Sequence, residues 1–308
     1  MLNSVVKGIA TATILVCHTL VVYGQTTLDE AEPENINFEI ESDGADRILL
    51  AGKLRTLTQQ VAASSCAATS GVDVEEAHDV LVQATADFDR YVAALRDGDE
   101  GLHILGPEED ARIVRDLDHV LAEWSAIHGA VDKVIANGSD VESAHIIDDH
   151  NLKLLELATV LSSDIVGRYS HPYEMTSADA MMIEIAGRQL MLTQRMAKDA
   201  CEVWTGYHAD TAKEDLAATM QIFETSLTAL RYGMPEAGLS AAPNDVIRTD
   251  LDILLERWEV IKVNQQTLVD GGELTEDQKY EIFHDLQVEL ADLEHLLEDY
   301  RDYSERAH

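Results

Sequence analysis

Basic residues are scarce in this chain: 22 Lys and Arg stand against 58 Asp and Glu, a formal net charge of −36. A chain so acidic repels phosphate backbones and anionic bilayers and offers no basic stripe, which excludes nucleic acid as a partner. Aromatic residues make up only 5% and prolines number 5, a profile poor in strand formers, so helices are expected throughout. Past residue 24 every apolar run is interrupted by charged or polar residues within a few positions, leaving nothing long enough to span a membrane. Catalytic signatures are missing too. No Gly-x-Ser-x-Gly elbow or Cys/His nucleophilic pattern is found, and Ala51-Gly52-Lys53 has Arg47 where a phosphate loop needs glycine. The expectation is a protein that is not an enzyme and carries no cofactor.

The chain opens with Lys7, an apolar stretch from Ile9 to Tyr23 and the small-residue pattern Val22-x-Gly24. Residues 1–24 therefore read as a secretory signal peptide, which predicts an exported, periplasmic protein; an uncleaved membrane anchor is the alternative. Residues 25–44 are acidic, contain Pro33 and lack helical periodicity, as in a linker. Of the 3 cysteines, Cys17 lies in the leader. Cys66 and Cys201 remain, as a disulfide or as two separate buried thiols.

From residue 45 onward the pattern is helical, and it occurs twice. A first helix carries Ile48, Ala51, Leu54, Leu57 and Val61 and ends at Gly71; a second runs from about Asp73 to Arg96. A third follows Gly106-Pro107 with Glu108 and Glu109 in its first turn, and a fourth is capped by Ser139 or Asp140 and stops before His171-Pro172. The second set aligns on the first. Ala51-Gly52 falls on Ala186-Gly187, Thr58-Gln59 on Thr193-Gln194, Cys66 on Cys201, Phe88 on Phe223, and Gly98 on Gly233; after a one-residue slip Trp124 falls on Trp258 and His150 on His284. So many coincidences of rare residues mark a tandem duplication. The predicted fold is all-α, two tandem antiparallel four-helix bundles over 45–170 and 175–308.

Both first helices contain acid-free stretches, Arg47 to Val72 and Ile185 to Lys198, where composition leads one to expect roughly five acids in a window as long as the first. They hold Arg47, Lys53, Arg55, Arg188, Arg195 and Lys198. Arg can grip an oxyanion with two parallel hydrogen bonds, and Gly52 and Gly187 would let helices approach closely. Gly52, Lys53, Arg55, Gly187, Arg188 and Arg195 are accordingly the candidate ligand-binding residues, with a small anion as ligand. The plainer alternative is tight packing by small residues, with the cations offsetting acidic neighbours.

The pattern Ile-x-x-Ala-Gly-x-x-x-x-Leu-Thr-Gln-Arg-Met-Ala-Lys, at Ile183 to Lys198, resembles the first-helix signature of the sensor domain at the N-terminus of type IV pili methyl-accepting chemotaxis transducers and of nitrate/nitrite sensor kinases. Leu49 to Ala63 matches it more loosely. The resemblance implies periplasmic four-helix bundles that pair through their first helices, with an anion held near an Arg three residues after the glycine. That residue is Arg55 in the first copy and Leu190 in the second, so the two arginines of a two-fold nitrate site are reduced to one, with Arg188 and Arg195 as substitutes. It also implies an internal pseudo-dimer, or a homodimer, that signals to a membrane-bound partner, and an axis near which Cys66 and Cys201 could form a bridge.

An acid three residues before a histidine recurs, as in Glu75/His78, Glu142/His145 and Glu281/His284. Such pairs supply ligands in metal-binding bundles; none aligns between copies, and no metal site is assigned, Glu281 and His284 being the nearest to one. The alternatives to a sensor are a helical scaffold without a small ligand and a metal-binding bundle.

Overall fold

The computed structural model of the chain describes residues 43–170 and 177–307. The leader, nearly all of the acidic linker and His171-Pro172 lie outside the described residues. Eight helices follow in order: α1 (Gly44–Ser70), α2 (Val74–Asp97), α3 (Ala111–Ala136), α4 (Val141–Tyr169), α5 (Ser177–Thr205), α6 (Ala209–Tyr232), α7 (Asp245–Val269) and α8 (Glu276–Ala307). There are no strands among the described residues, and none of the described helices is long and apolar enough to cross a membrane.

Local chemistry sets the ends of these helices. Asp110 accepts the backbone N–H of Arg112, Asp140 that of Ser143 and Asn244 that of Ile247, which satisfies donors the first turn leaves free. Thr275 and Gln278 bond reciprocally at the start of α8, a capping box. Gly71 closes α1 in the left-handed conformation, its N–H reaching Ala67 and Ala68. The sequence expectation for α3 needs correction. Its first turn lies after Glu108 and Glu109, because Asp110 is the cap, and Glu108 is buried instead, where it takes Arg47 at 3.4 Å and the Tyr169 hydroxyl at 2.8 Å.

Outer helices bury one stripe each: Leu81, Phe88 and Leu95 on α2, Leu117, Trp124 and Val131 on α3, Leu216, Phe223 and Leu230 on α6, Leu251, Trp258 and Leu268 on α7. Phe88 packs on Trp124 with ring centroids 4.3 Å apart, and the equivalent Phe223 on Trp258 at 4.9 Å. Helices α1–α4 surround one core and α5–α8 another. The repeat extends to the connections. Asp99 pairs with Ile104 and Met234 with Leu239 around matching short turns, and Gly98 and Gly233 precede them with φ of 89° and 81°.

α1 and α5 differ from the others. Each packs on its own second and fourth helix, and the two pack on each other. In α1 Leu54, Thr56, Leu57, Thr58, Gln59, Val61, Ala62, Ala63 and Ser65 are all buried, a spacing so close that they point to several sides of the helix. A third apolar cluster joins Ala67, Ala68, Val72 and Ala77 of the first half to Phe283 of the second.

Candidate functional site

The predicted ligand-site residues all lie on α1 and α5, and the structure treats them unequally. Arg55 reaches across it: its Nη1 lies 3.3 Å from Glu184 Oε1 of α5, and its Nε is buried without a hydrogen-bond partner. The Arg55 side chain is 12% exposed, that of Glu184 53%. Lys53 also faces the second half, 3.8 Å from Glu294 of α8. Arg195 stays within its own half, 3.6 Å from Asp199 and 3.4 Å from Asp215. Arg188 is exposed and forms no ion pair among the described residues. Leu190, at the position equivalent to Arg55, is buried.

The glycines are not needed to admit a neighbouring helix. A Cβ built on Gly52 would meet only the guanidinium of Arg55, at 3.9 Å, and one on Gly187 only Leu297, at 3.9 Å. Both are ordinary van der Waals contacts, so neither position requires glycine for interhelical contact.

Cys66 Sγ and Cys201 Sγ are bonded, with Cα atoms 6.2 Å apart, which ties α1 to α5 near their C-terminal ends. The Thr-Gln pairs of the two first helices are buried ties of another kind. Gln59 donates to Asn151 of α4 at 2.9 Å, and Asn151 donates to the Thr58 carbonyl. Gln194 accepts from Gln287 of α8 at 3.2 Å, while Gln287 accepts from Gln60 of α1. Each first helix is fixed to its fourth helix by paired amides, and the second set continues across to the first half.

Sequence reasoning missed a buried ionic cluster. Lys198 lies 2.5 Å from Glu202, 2.9 Å from Asp199 and 3.8 Å from Asp148, the last contributed by α4. Burial disfavours charge on every member. It pushes Asp199 up, and it raises Glu202 to about 9, so that Glu202 is protonated near neutrality, with Asp148 adding to the effect. Lys198 nevertheless keeps its proton, because burial is outweighed by Asp199, Glu202 and Asp148 around it. At the equivalent places on α1 stand Ala63, Ser64 and Ala67, so this cluster belongs to the second copy only.

At the turn after each first helix the two halves meet through histidine and carboxylate. Glu76, in the first turn of α2, lies 2.8 Å from His284 Nδ1 of α8; Asp73, with φ of 42°, stands beside them. Burial and Glu76 raise Asp73 to about 6, and hydrogen bonding to Glu76 raises His284. At the matching turn the polarity is reversed. His208, with φ of 49°, lies 3.1 Å from Asp149 of α4, and Tyr207 donates to the same carboxylate at 2.8 Å. His284 therefore partners Glu76 and Asp73, while Glu281, its companion in the sequence reading, accepts from Asn264 at 3.1 Å.

Two sets of four helices built around a pair of bonded first helices define the class: a duplicated all-α helical bundle. The family described as type IV pili methyl-accepting chemotaxis transducer N-term matches residues 37–149 and 174–283. The chain belongs to this family and carries its domain twice. No curated protein matches the chain.

Proposed function

We propose that the protein is a periplasmic sensor in which the two copies act as a pseudo-dimer within one chain, binding a small anion at Arg55 on the face between α1 and α5. The observation that carries this reading is the state of Arg55. Among the described residues its buried Nε has no hydrogen-bond partner and its one ionic contact is Glu184, a half-exposed side chain at 3.3 Å. A planar oxyanion could take the place of that carboxylate and satisfy two guanidinium donors at once. Glu184 is then an internal competitor that holds the arginine until a ligand arrives. Because Leu190 replaces the second arginine, one anion is bound per chain. The sensory class comes from the family; a change between α1 and α5 on binding would pass to a separate membrane-bound partner.

Thermal unfolding of the oxidised protein with nitrate, nitrite and other small anions at constant ionic strength tests this. A ligand at 100 times its Kd raises stability by about 2.7 kcal/mol, which reads as a clear rise in Tm. The shift should vanish in Arg55→Ala and grow in Glu184→Gln, which removes the competing charge. No shift with any anion, or one that persists in Arg55→Ala, would overturn the assignment and favour an interaction protein on the same fold.

A further inference from the structure

The junction between the two halves brings together a histidine and two carboxylates from two separate segments: His284 from α8, and Asp73 and Glu76 from the cap and first turn of α2. One donor atom from each lies within 4.8 Å of the other two. His284 and Glu76 make a hydrogen bond of 2.8 Å. Asp73 adds a second carboxylate to the same spot, and its Oδ2 is shielded from solvent with no hydrogen-bond partner among the described residues. Two carboxylates pressed together repel unless a proton or a cation lies between them. Among the described residues His284 is the one cationic group placed against this pair.

We propose that Asp73, Glu76 and His284 form a binding site for a divalent transition-metal ion, with zinc as the best-fitting member, that joins the two halves of the chain. One imidazole nitrogen and two carboxylate oxygens are a three-ligand set for zinc, leaving the fourth position to water. Bonds of about 2.0–2.2 Å place donor atoms roughly 3.5 Å apart in a tetrahedral site, so no donor pair needs to change its separation by much more than about an ångström, His284 and Glu76 parting slightly to admit the ion. Nitrogen in the set disfavours calcium and magnesium, which take oxygen ligands. The two carboxylates balance the ion's charge, and their place at the start of α2, where the helix dipole favours anions, keeps them ionised when it binds. The face of the His284 ring is stacked on Tyr280, centroids 5.5 Å apart, which fixes the ring orientation. The matching turn of the second copy supplies an internal contrast, since His208 replaces Asp73 there and Thr211 replaces Glu76.

The test is a calorimetric titration of untagged, oxidised protein with zinc chloride, and separately with magnesium chloride to measure loose binding to a surface this acidic. One zinc per chain is expected, with affinity more than about a hundredfold lower in His284→Ala and in Asp73→Asn, beyond the roughly 10–100-fold loss typical of a supporting residue outside the ligand set. His295→Ala, which removes an exposed histidine elsewhere on α8, should bind as the unaltered protein does. Circular dichroism melts without metal establish that each variant is folded, and both ligand variants must lose affinity for the site to stand. Zinc binding unchanged in either ligand variant, binding no stronger than that of magnesium, or no zinc binding up to about millimolar concentration would overturn the proposal.

Discussion

Removing the bond between Cys66 and Cys201 should destabilise the protein strongly without dissolving its halves. The bond closes a loop with a sequence separation of 135, and the chain-entropy relation assigns a loop of that length about 5 kcal/mol, released when the unfolded chain is freed. The folded state keeps its other ties between halves. Lys53 faces Glu294, Arg55 faces Glu184, His284 faces Glu76 and His208 faces Asp149, and Ala67 and Ala68 share an apolar cluster with Phe283. The partly exposed ion pairs contribute up to about 1 kcal/mol each, so the apolar contact between α1 and α5 carries most of what remains. Guanidinium unfolding of Cys66→Ala/Cys201→Ala beside the oxidised protein measures the difference. The expected result is a loss of several kcal/mol approaching that figure, with a steeper denaturant dependence because the unlinked unfolded chain exposes more surface. A loss below about 1 kcal/mol with unchanged slope would refute the reasoning, since the bond would then constrain nothing the unfolded chain explores.

Glu289 on α8 is fully buried beside Arg257, and burial raises it to about 8. In the fold it holds a proton that the unfolded chain releases above its ordinary value near 4.5, so its contribution to stability is full below that pH and is lost as pH rises toward 8. The slope is about 1.4 kcal/mol per pH unit within that window. Glu289→Gln should match the parent near pH 5, be more stable at pH 8, and flatten the pH profile; parallel profiles from denaturant melts would contradict this. Gly233 has φ of 81° and a Cβ there would sit 2.9 Å from Ala241 N. Gly233→Ala should cost more than the roughly 1 kcal/mol of an ordinary strained glycine, whereas Gly138→Ala, with nothing within 4 Å, should be nearly neutral; equal melting temperatures for the two would sink the argument.

The duplication and the helices were legible because they rest on local pattern. α2 and α6 share the offset seen between Phe88 and Phe223, and Gly71 ends its helix where expected. What was not legible depends on partners far away in sequence. Glu108 looked like a first-turn acid of α3, but Arg47 and Tyr169 draw it inward. The acid-free stretch of α1 has a packing cause that the sequence could not separate from an anion site: the helix is enclosed on several sides, and an unpaired carboxylate there would be costly to bury. Where α5 does carry buried acids, Lys198 stands against them and against Asp148, a residue that only the fold brings near. Arg55 stood out as a cation in the acid-free stretch and again in the family pattern, while its competitor Glu184 has no motif and emerges only from the way α1 and α5 pack. His284 was paired with Glu281 by spacing along one helix, yet the two face different neighbours, the α2 turn and α7.

The central claim is one ligand site per chain, at Arg55, between the first helices of two fused copies. Calorimetric titration of the oxidised protein with whichever anion raises its Tm tests this most directly. The account predicts one anion per chain, lost in Arg55→Ala and tighter in Glu184→Gln. Two anions per chain, or binding that survives Arg55→Ala, would contradict it.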